Sequence, residues 1–226
     1  YMHDVEHHTI CYLRDLLVTS AHRDPTVTSF LTMWCYEEYW HGEALGRVLS
    51  AHGEPSGDAR ITPLRRHRRW RDRIDPLTHI FFSTVAGESF VAIHMAWGAL
   101  NEWTTQAGYA RLSQRAAHPV LTELLRRIMK QEGRHIDFYA GQAEKRLSDD
   151  RRARRLARSA LQLLWRPVGA NVMPQREVAF LVAYLFGGDG RPVAERIDRR
   201  VDRLPGLADL GLVTRAVDRY ANSPAA

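Results

Sequence analysis

Val27, Leu31, Trp34, Leu45 and Val48 are separated by sums of three and four residues, the repeat of a single face of an α-helix. The same period runs through most of the chain, and the apolar–polar alternation of half-buried strands is scarce, so the pattern predicts an all-α protein. Turn signals such as RDPT, HGEPSGD, DP, HP, SDD, RP, FGGDG and LPG divide it into helices. These cover about residues 2–20, 26–52, 62–73, 76–107, 117–147, 150–166, 175–187, 191–203 and 208–221. The segments beginning near 2, 26, 76 and 117 are the longest amphipathic ones and suit a four-helix bundle. A length of 226 residues fits one domain over 1–226: the bundle and a short connecting helix in 1–147, and accessory helices in 148–226.

Charged residues interrupt these apolar seams in a regular way. On the second long helix Glu38 and His41 occupy the stripe of Leu31, Trp34 and Leu45, while Glu37 and Glu43 lie off it. The helix beginning near 117 repeats this: Leu121, Leu125, Ile128, Glu132, His135, Tyr139 and Gln142 share one stripe. The helix between them reads Phe81, Val85, Glu88, Ala92, Met95, Ala99, and the first reads Met2, Glu6, Thr9, Leu13, Leu17. Twelve Glu and eleven His would give ~0.6 Glu-x-x-His pairs by random placement, so the short motif decides little by itself. Placement decides more, because four carboxylates in one apolar core are costly unless paired or metal-bound. Two divalent cations with four carboxylates and two neutral imidazoles make a neutral set, the one used by di-iron and di-manganese bundles. Glu6, Glu38, His41, Glu88, Glu132 and His135 are the expected ligands, with His3, Asp4 and His7 as neighbours able to replace Glu6. His94 reads as a supporting or core histidine.

The remaining composition narrows the setting. Two cysteines, Cys11 and Cys35, with no CxxC or zinc spacing, argue for packing roles and a reducing cytoplasm. YMHDVEHHTI shows no basic region followed by an apolar one, so no signal peptide is visible in it. Residues 80–100 are long enough to span a bilayer but carry Glu88 and His94; an acidic residue at mid-membrane costs roughly 2.5–3.5 kcal/mol. The expectation is a buried helix and no transmembrane segment. Net charge is +6, and the arginines of RRHRRWRDR (65–73) and RRARRLAR (151–158) suit either a solvated helix face or an acidic protein partner. Asp72 and Asp75 break the sign of the first run, and no nucleic-acid module accompanies it, so nucleic acid is not expected as a partner.

These motifs resemble the soluble acyl-ACP desaturase family of ferritin-like di-iron proteins. Glu6 followed by Tyr12 in VEHHTICYL is similar to the family's first-helix motif, and WCYEEYWHG, with Trp34 one turn before Glu38 and Gly42 after His41, to its second. QEGRH (131–135) resembles the fourth, and VDRLPGLADLG (201–211) a segment near the family's C-terminal end. The resemblance implies a ferritin-like four-helix bundle with additional C-terminal helices, two Fe ions (Mn as the alternative) on Glu6, Glu38, His41, Glu88, Glu132 and His135, and an O₂-dependent oxidoreductase that desaturates or hydroxylates an acyl chain. It further implies an acyl carrier protein as substrate carrier, a ferredoxin-like electron donor and a homodimer. Two positions depart from the family: Val91 stands where a Thr usually follows the third-helix Glu by three, and Gln131 where an acidic residue is usual. Fold and metal site therefore carry over better than reaction. Ala86, Gly87, Ala92 and Ala96 leave room near Glu88 for an acyl tunnel or for close helix packing. Two rivals remain: another ferritin-like di-metal oxygenase acting on a small molecule, and a non-enzymatic iron-handling protein. An amine oxygenase of this kind is expected to carry a further His where this chain has Ile128.

Overall fold

The computed structural model describes residues 1–68 and 70–221, and every regular element among them is helical. The α-helices are α1 (Met2–Leu17), α2 (Pro25–Ala51), α3 (Asp58–Arg68), α4 (Arg71–Ala86), α5 (Ser89–Ala116), α6 (Pro119–Asp149), α7 (Arg151–Leu164), α8 (Gln175–Phe186), α9 (Arg191–Val201) and α10 (Leu212–Ala221). Short 3₁₀ turns occupy Ser20–Arg23 and Gly188–Gly190. Arg69, in the basic run, lies outside the described residues. The chain gathers into two compact units, residues 1–90 and 91–226, with the boundary in the first turn of α5.

In the first unit α1 packs along α2. Asp24 starts α2 by accepting hydrogen bonds from the amides of Thr26 (3.0 Å) and Val27 (3.1 Å), and Pro25 fills the first helical position, where no amide is needed. The expected stripe is the buried one: Val27, Leu31, Trp34, Glu38, His41 and Leu45 all face inward. Glycines set how closely α1 approaches, since a Cβ at Gly42 would lie 2.9 Å from the His7 ring and one at Gly46 3.2 Å from the His3 ring.

α3 and α4 meet α1 through polar contacts. Arg68, 6% exposed, reaches Asp75 at 3.0 Å and Asp72 at 3.5 Å. Beside them, burial pushes the His79 imidazole below the usual histidine range, although Asp15 and Asp75 pull the other way.

In the second unit α6 buries Leu125, Ile128, Glu132, His135, Tyr139, Ala143 and Leu147 along one face, as its sequence period requires. α5 approaches at Gly98, where a Cβ would fall 2.3 Å from the Tyr139 ring, and Gln106 donates to the Met129 carbonyl at 3.1 Å. The C-terminal helices close on themselves: α10 packs on α8 and α9, and Asp198 of α9 accepts from the amides of Val213 and Thr214, both at 2.9 Å. The 201–211 segment is held to α7 by Arg158, which donates to the carbonyls of Gly206 (3.3 Å) and Ala208 (2.6 Å). Gly206 turns there with φ +81°, a conformation side chains disfavour.

One expected helix is corrected. The segment 76–107 is two helices: α4 runs straight through Asp75 and Pro76, and the break falls at Gly87, whose φ of +60° and ψ of −134° end α4 while its amide bonds the Ser83 carbonyl at 2.9 Å. Only glycine adopts that conformation without strain, so the Ala86–Gly87 pair is a stop rather than two small residues in a continuous helix. Residues 80–100 are consequently not one buried helix, because Phe81, Phe82 and Val85 are exposed.

Two outcomes follow from these contacts. Gly98→Ala forces Tyr139 to move and is expected to destabilise the protein by about 1–3 kcal/mol in urea unfolding. Co-substitution with Tyr139→Leu should recover part of that loss. Since native His79 resists protonation, the folded chain binds fewer protons than the unfolded one below the ordinary histidine value of 6.5. Stability therefore falls as pH drops through that value, and His79→Gln should flatten the decline of the urea midpoint between about pH 7 and 5.

Candidate metal-binding triads

Each unit buries one carboxylate from one helix against a Glu-x-x-His pair from another. In the first unit Glu6 of α1 meets Glu38 and His41 of α2; the three are 5%, 3% and 2% exposed. His41 Nδ1 lies 3.2 Å from Glu38 Oε2, and one ligand atom from each residue falls within 4.8 Å of the others. The three-residue separation places Glu38 and His41 on one face of α2, one turn beyond buried Trp34 and before buried Leu45. In the second unit Glu102 of α5 meets Glu132 and His135 of α6, again with ligand atoms within 4.8 Å. His135 Nδ1 stands 3.0 Å from Glu132 Oε2 and 3.9 Å from Glu102 Oε2, and neither Glu132 nor His135 has measurable exposure.

Each triad thus offers two carboxylates and one imidazole in a buried setting. Two carboxylates so close together repel as anions, and each loses several kcal/mol of hydration when buried (~, order of magnitude). One divalent cation neutralises a triad whose imidazole is uncharged. Oxygen and imidazole donors suit Fe(II), Mn(II) or Zn(II), and three protein ligands leave coordination positions for small molecules. The donor set fits a metal ion in each triad.

The neighbours able to replace Glu6 are engaged elsewhere. His3 Nδ1 pairs with Asp4 at 2.8 Å, Arg60 grips Asp4 at 2.6 and 2.7 Å, and the Gly57 amide donates to His3 Nε2 at 3.3 Å. His7 sets its ring edge-on to Tyr39 and faces Glu43 at 3.6 Å. His94 packs edge-on against Tyr139, and burial raises the pKa of both Cys11 and Cys35, as suits unreactive thiols.

Glu88 is where the structure corrects the expected ligand set. It sits in the exposed turn between α4 and α5, outside both triads, because Gly87 ends the helix that was to carry it inward. The α5 carboxylate that does meet Glu132 and His135 is Glu102. The signal was in the sequence: the stripe Ala92, Met95, Ala99 is buried, and its next step of three lands on Glu102. Phe81 and Val85 keep the same period in the sequence but belong to α4 and are exposed. Ala92 and Ala96 are buried on α5, but with Glu88 outside they no longer flank a ligand.

No protein-family model, curated protein or solved structure matches the chain. The assignment stands on the triads themselves.

Anaerobic titration with Fe(II) is expected to end near two ions per chain, with Glu38→Ala and His135→Ala each removing one high-affinity ion and lowering affinity by at least about 10–100-fold. Saturating metal should stabilise the wild type by about 4 kcal/mol per bound ion at a thousandfold excess over Kd, about 8 kcal/mol for both, and chelation should reverse this. Glu88→Ala is expected to change neither stoichiometry nor thermal midpoint; loss of an ion in that variant would restore Glu88 as a ligand.

Proposed function

We propose that the protein is a ferritin-like di-iron oxidoreductase that uses O₂ to desaturate or hydroxylate an acyl chain. The observation that carries the reading is the order Glu6, Glu38-x-x-His41, Glu102, Glu132-x-x-His135 along four helices, each member at most 5% exposed. With Glu102 as the third-helix carboxylate, the residue three positions on is Thr105, so the Thr that the resembled family carries is present after all. The departure at Val91 belonged to the wrong glutamate; Gln131 still departs.

Reduced iron would supply O₂ activation at the triads. The chain's own groups do the rest. Glu6 and Glu102 each come from a helix other than the one carrying the Glu-x-x-His pair, so each triad ties two helices together and fixes its donors on rigid elements. Trp34 and Leu45 beside the first triad, and Ile128 and Tyr139 beside the second, are buried and exclude water that would otherwise consume the oxidant. In a desaturation, two adjacent carbons each lose one hydrogen and gain a double bond. O₂ takes these two hydrogens, two electrons from a ferredoxin-like donor and two protons, and leaves as two waters.

Arg151, Arg154 and Arg155 of α7 line an open concavity of about 470 Å³, which suits the acidic surface of an acyl carrier protein. The reading includes a homodimer, as in the resembled family.

The decisive experiment loads Fe(II) anaerobically, adds O₂, reduced ferredoxin and a panel of acyl carriers, and measures acyl masses. A loss of two hydrogens or gain of one oxygen is expected on at least one carrier. Full iron loading with every acyl chain unchanged would favour a small-molecule oxygenase or an iron-handling protein, and Arg151→Glu with Arg155→Glu should raise KM for the carrier with kcat little altered.

A further inference from the structure

α4 is built inside out. Asp72, Asp75, His79 and Ser83 lie on the side that packs towards α1, where Arg68 answers the two aspartates. On the opposite side Trp70, Ile74, Leu77, Phe81 and Val85 follow one another at intervals of four, three, four and four, a single stripe along the helix. These five are 63%, 43%, 63%, 64% and 59% exposed, with Phe82 and Ile80 alongside at 51% and 40%. A soluble helix normally shows water its polar face. A stripe of this length and size marks an interaction surface.

Charge identifies what it meets. The fully exposed ionic residues described on α3 from Arg65 onward and in α4 are all cationic: Arg65, Arg66, Arg71 and Arg73, while Asp72 and Asp75 are half-buried and ion-paired with Arg68. From residue 77 to the end of α4 no Asp, Glu, Lys or Arg occurs. The helix therefore has a cationic end carrying Trp70 and an uncharged end carrying Phe81, Phe82 and Val85. That is the layout of a helix lying in a bilayer interface, with phenyl rings among acyl chains, tryptophan at headgroup depth and guanidinium groups on phosphates. No helix among the described residues is long and apolar enough to cross a membrane, so the contact lies along one leaflet.

The geometry points to α4, with the adjoining end of α3, as a docking surface for an anionic lipid leaflet. It uses neither triad and stands whether or not the metal reading holds.

Full-length protein is sedimented with vesicles of phosphatidylcholine alone, and with vesicles in which a third of the lipid is phosphatidylglycerol, in physiological salt. Partition to the anionic vesicles is expected to exceed that to neutral ones by roughly tenfold or more. Leu77→Glu with Phe81→Glu should abolish it with an unchanged thermal midpoint, since both side chains already face solvent. Arg66→Glu with Arg73→Glu should weaken anionic binding about 30-fold and leave the weak neutral binding in place. Failure of the wild type to bind anionic vesicles overturns the proposal, as does undiminished binding by the Leu77→Glu, Phe81→Glu variant. A concentration-dependent dimer that this variant dissolves, with no vesicle binding by the wild type, would assign the stripe to a second copy of the chain.

Discussion

An ionised carboxylate cannot be left in an apolar helix seam without a compensating charge, and that constraint organises this protein. Glu6, Glu38, Glu102 and Glu132 are all buried; Glu38 shares its stripe with Trp34 and Leu45, Glu102 with Met95 and Ala99, and Glu132 with Ile128. Hydrophobic burial alone would place leucine at each of these positions and gain ~2 kcal/mol per side chain. Retaining a carboxylate there sacrifices that stability for a donor set that fits a metal ion. α2 and α6 are long and capped, by Asp24 before Pro25 and by His118 before Pro119, and this rigidity holds their carboxylates and imidazoles in place.

The two triads share one construction. In each, a helical three-residue step presents a carboxylate and an imidazole from the same face, and a second helix contributes the remaining carboxylate. Glycine regulates the approach of helices near both: Gly42 admits the His7 ring beside the first, and Gly98 admits Tyr139 one turn past His135 in the second. The geometry of the triads and the packing of the helices are therefore coupled. A substitution that moves either helix pair apart alters the spacing of the triad without touching a member of it.

How much of this was legible in the sequence depends on the kind of signal. Period identified nearly every helix, and it placed Glu38, His41, Glu132 and His135 on buried stripes, because a long amphipathic helix constrains every residue on its face. Glu6 could be placed only to within a few residues, since its helix begins at Met2 and His3, Asp4 and His7 compete; those three pair with Arg60, Gly57 and Glu43, and Glu6 is the one that meets Glu38 and His41. Glu88 failed for a local reason. A positive φ at one glycine is invisible to a period count, and the apolar residues on the two sides of Gly87 happen to keep step. The outward stripe of α4 failed for the complementary reason: period shows that a face is apolar, but not which way it points.

The turn at Gly87 has a consequence for how this chain tolerates change. It breaks the phase between α4 and α5, so the outward stripe ending at Val85 and the inward stripe beginning at Ala92 are set independently. An inserted residue in the exposed turn alters neither register. The same insertion between Ala92 and Glu102 rotates that carboxylate by about 100° out of its seam. Insertions are thus best tolerated at the joints of this protein, and residue 87 is the joint that lets one surface change while the buried carboxylates stay in register.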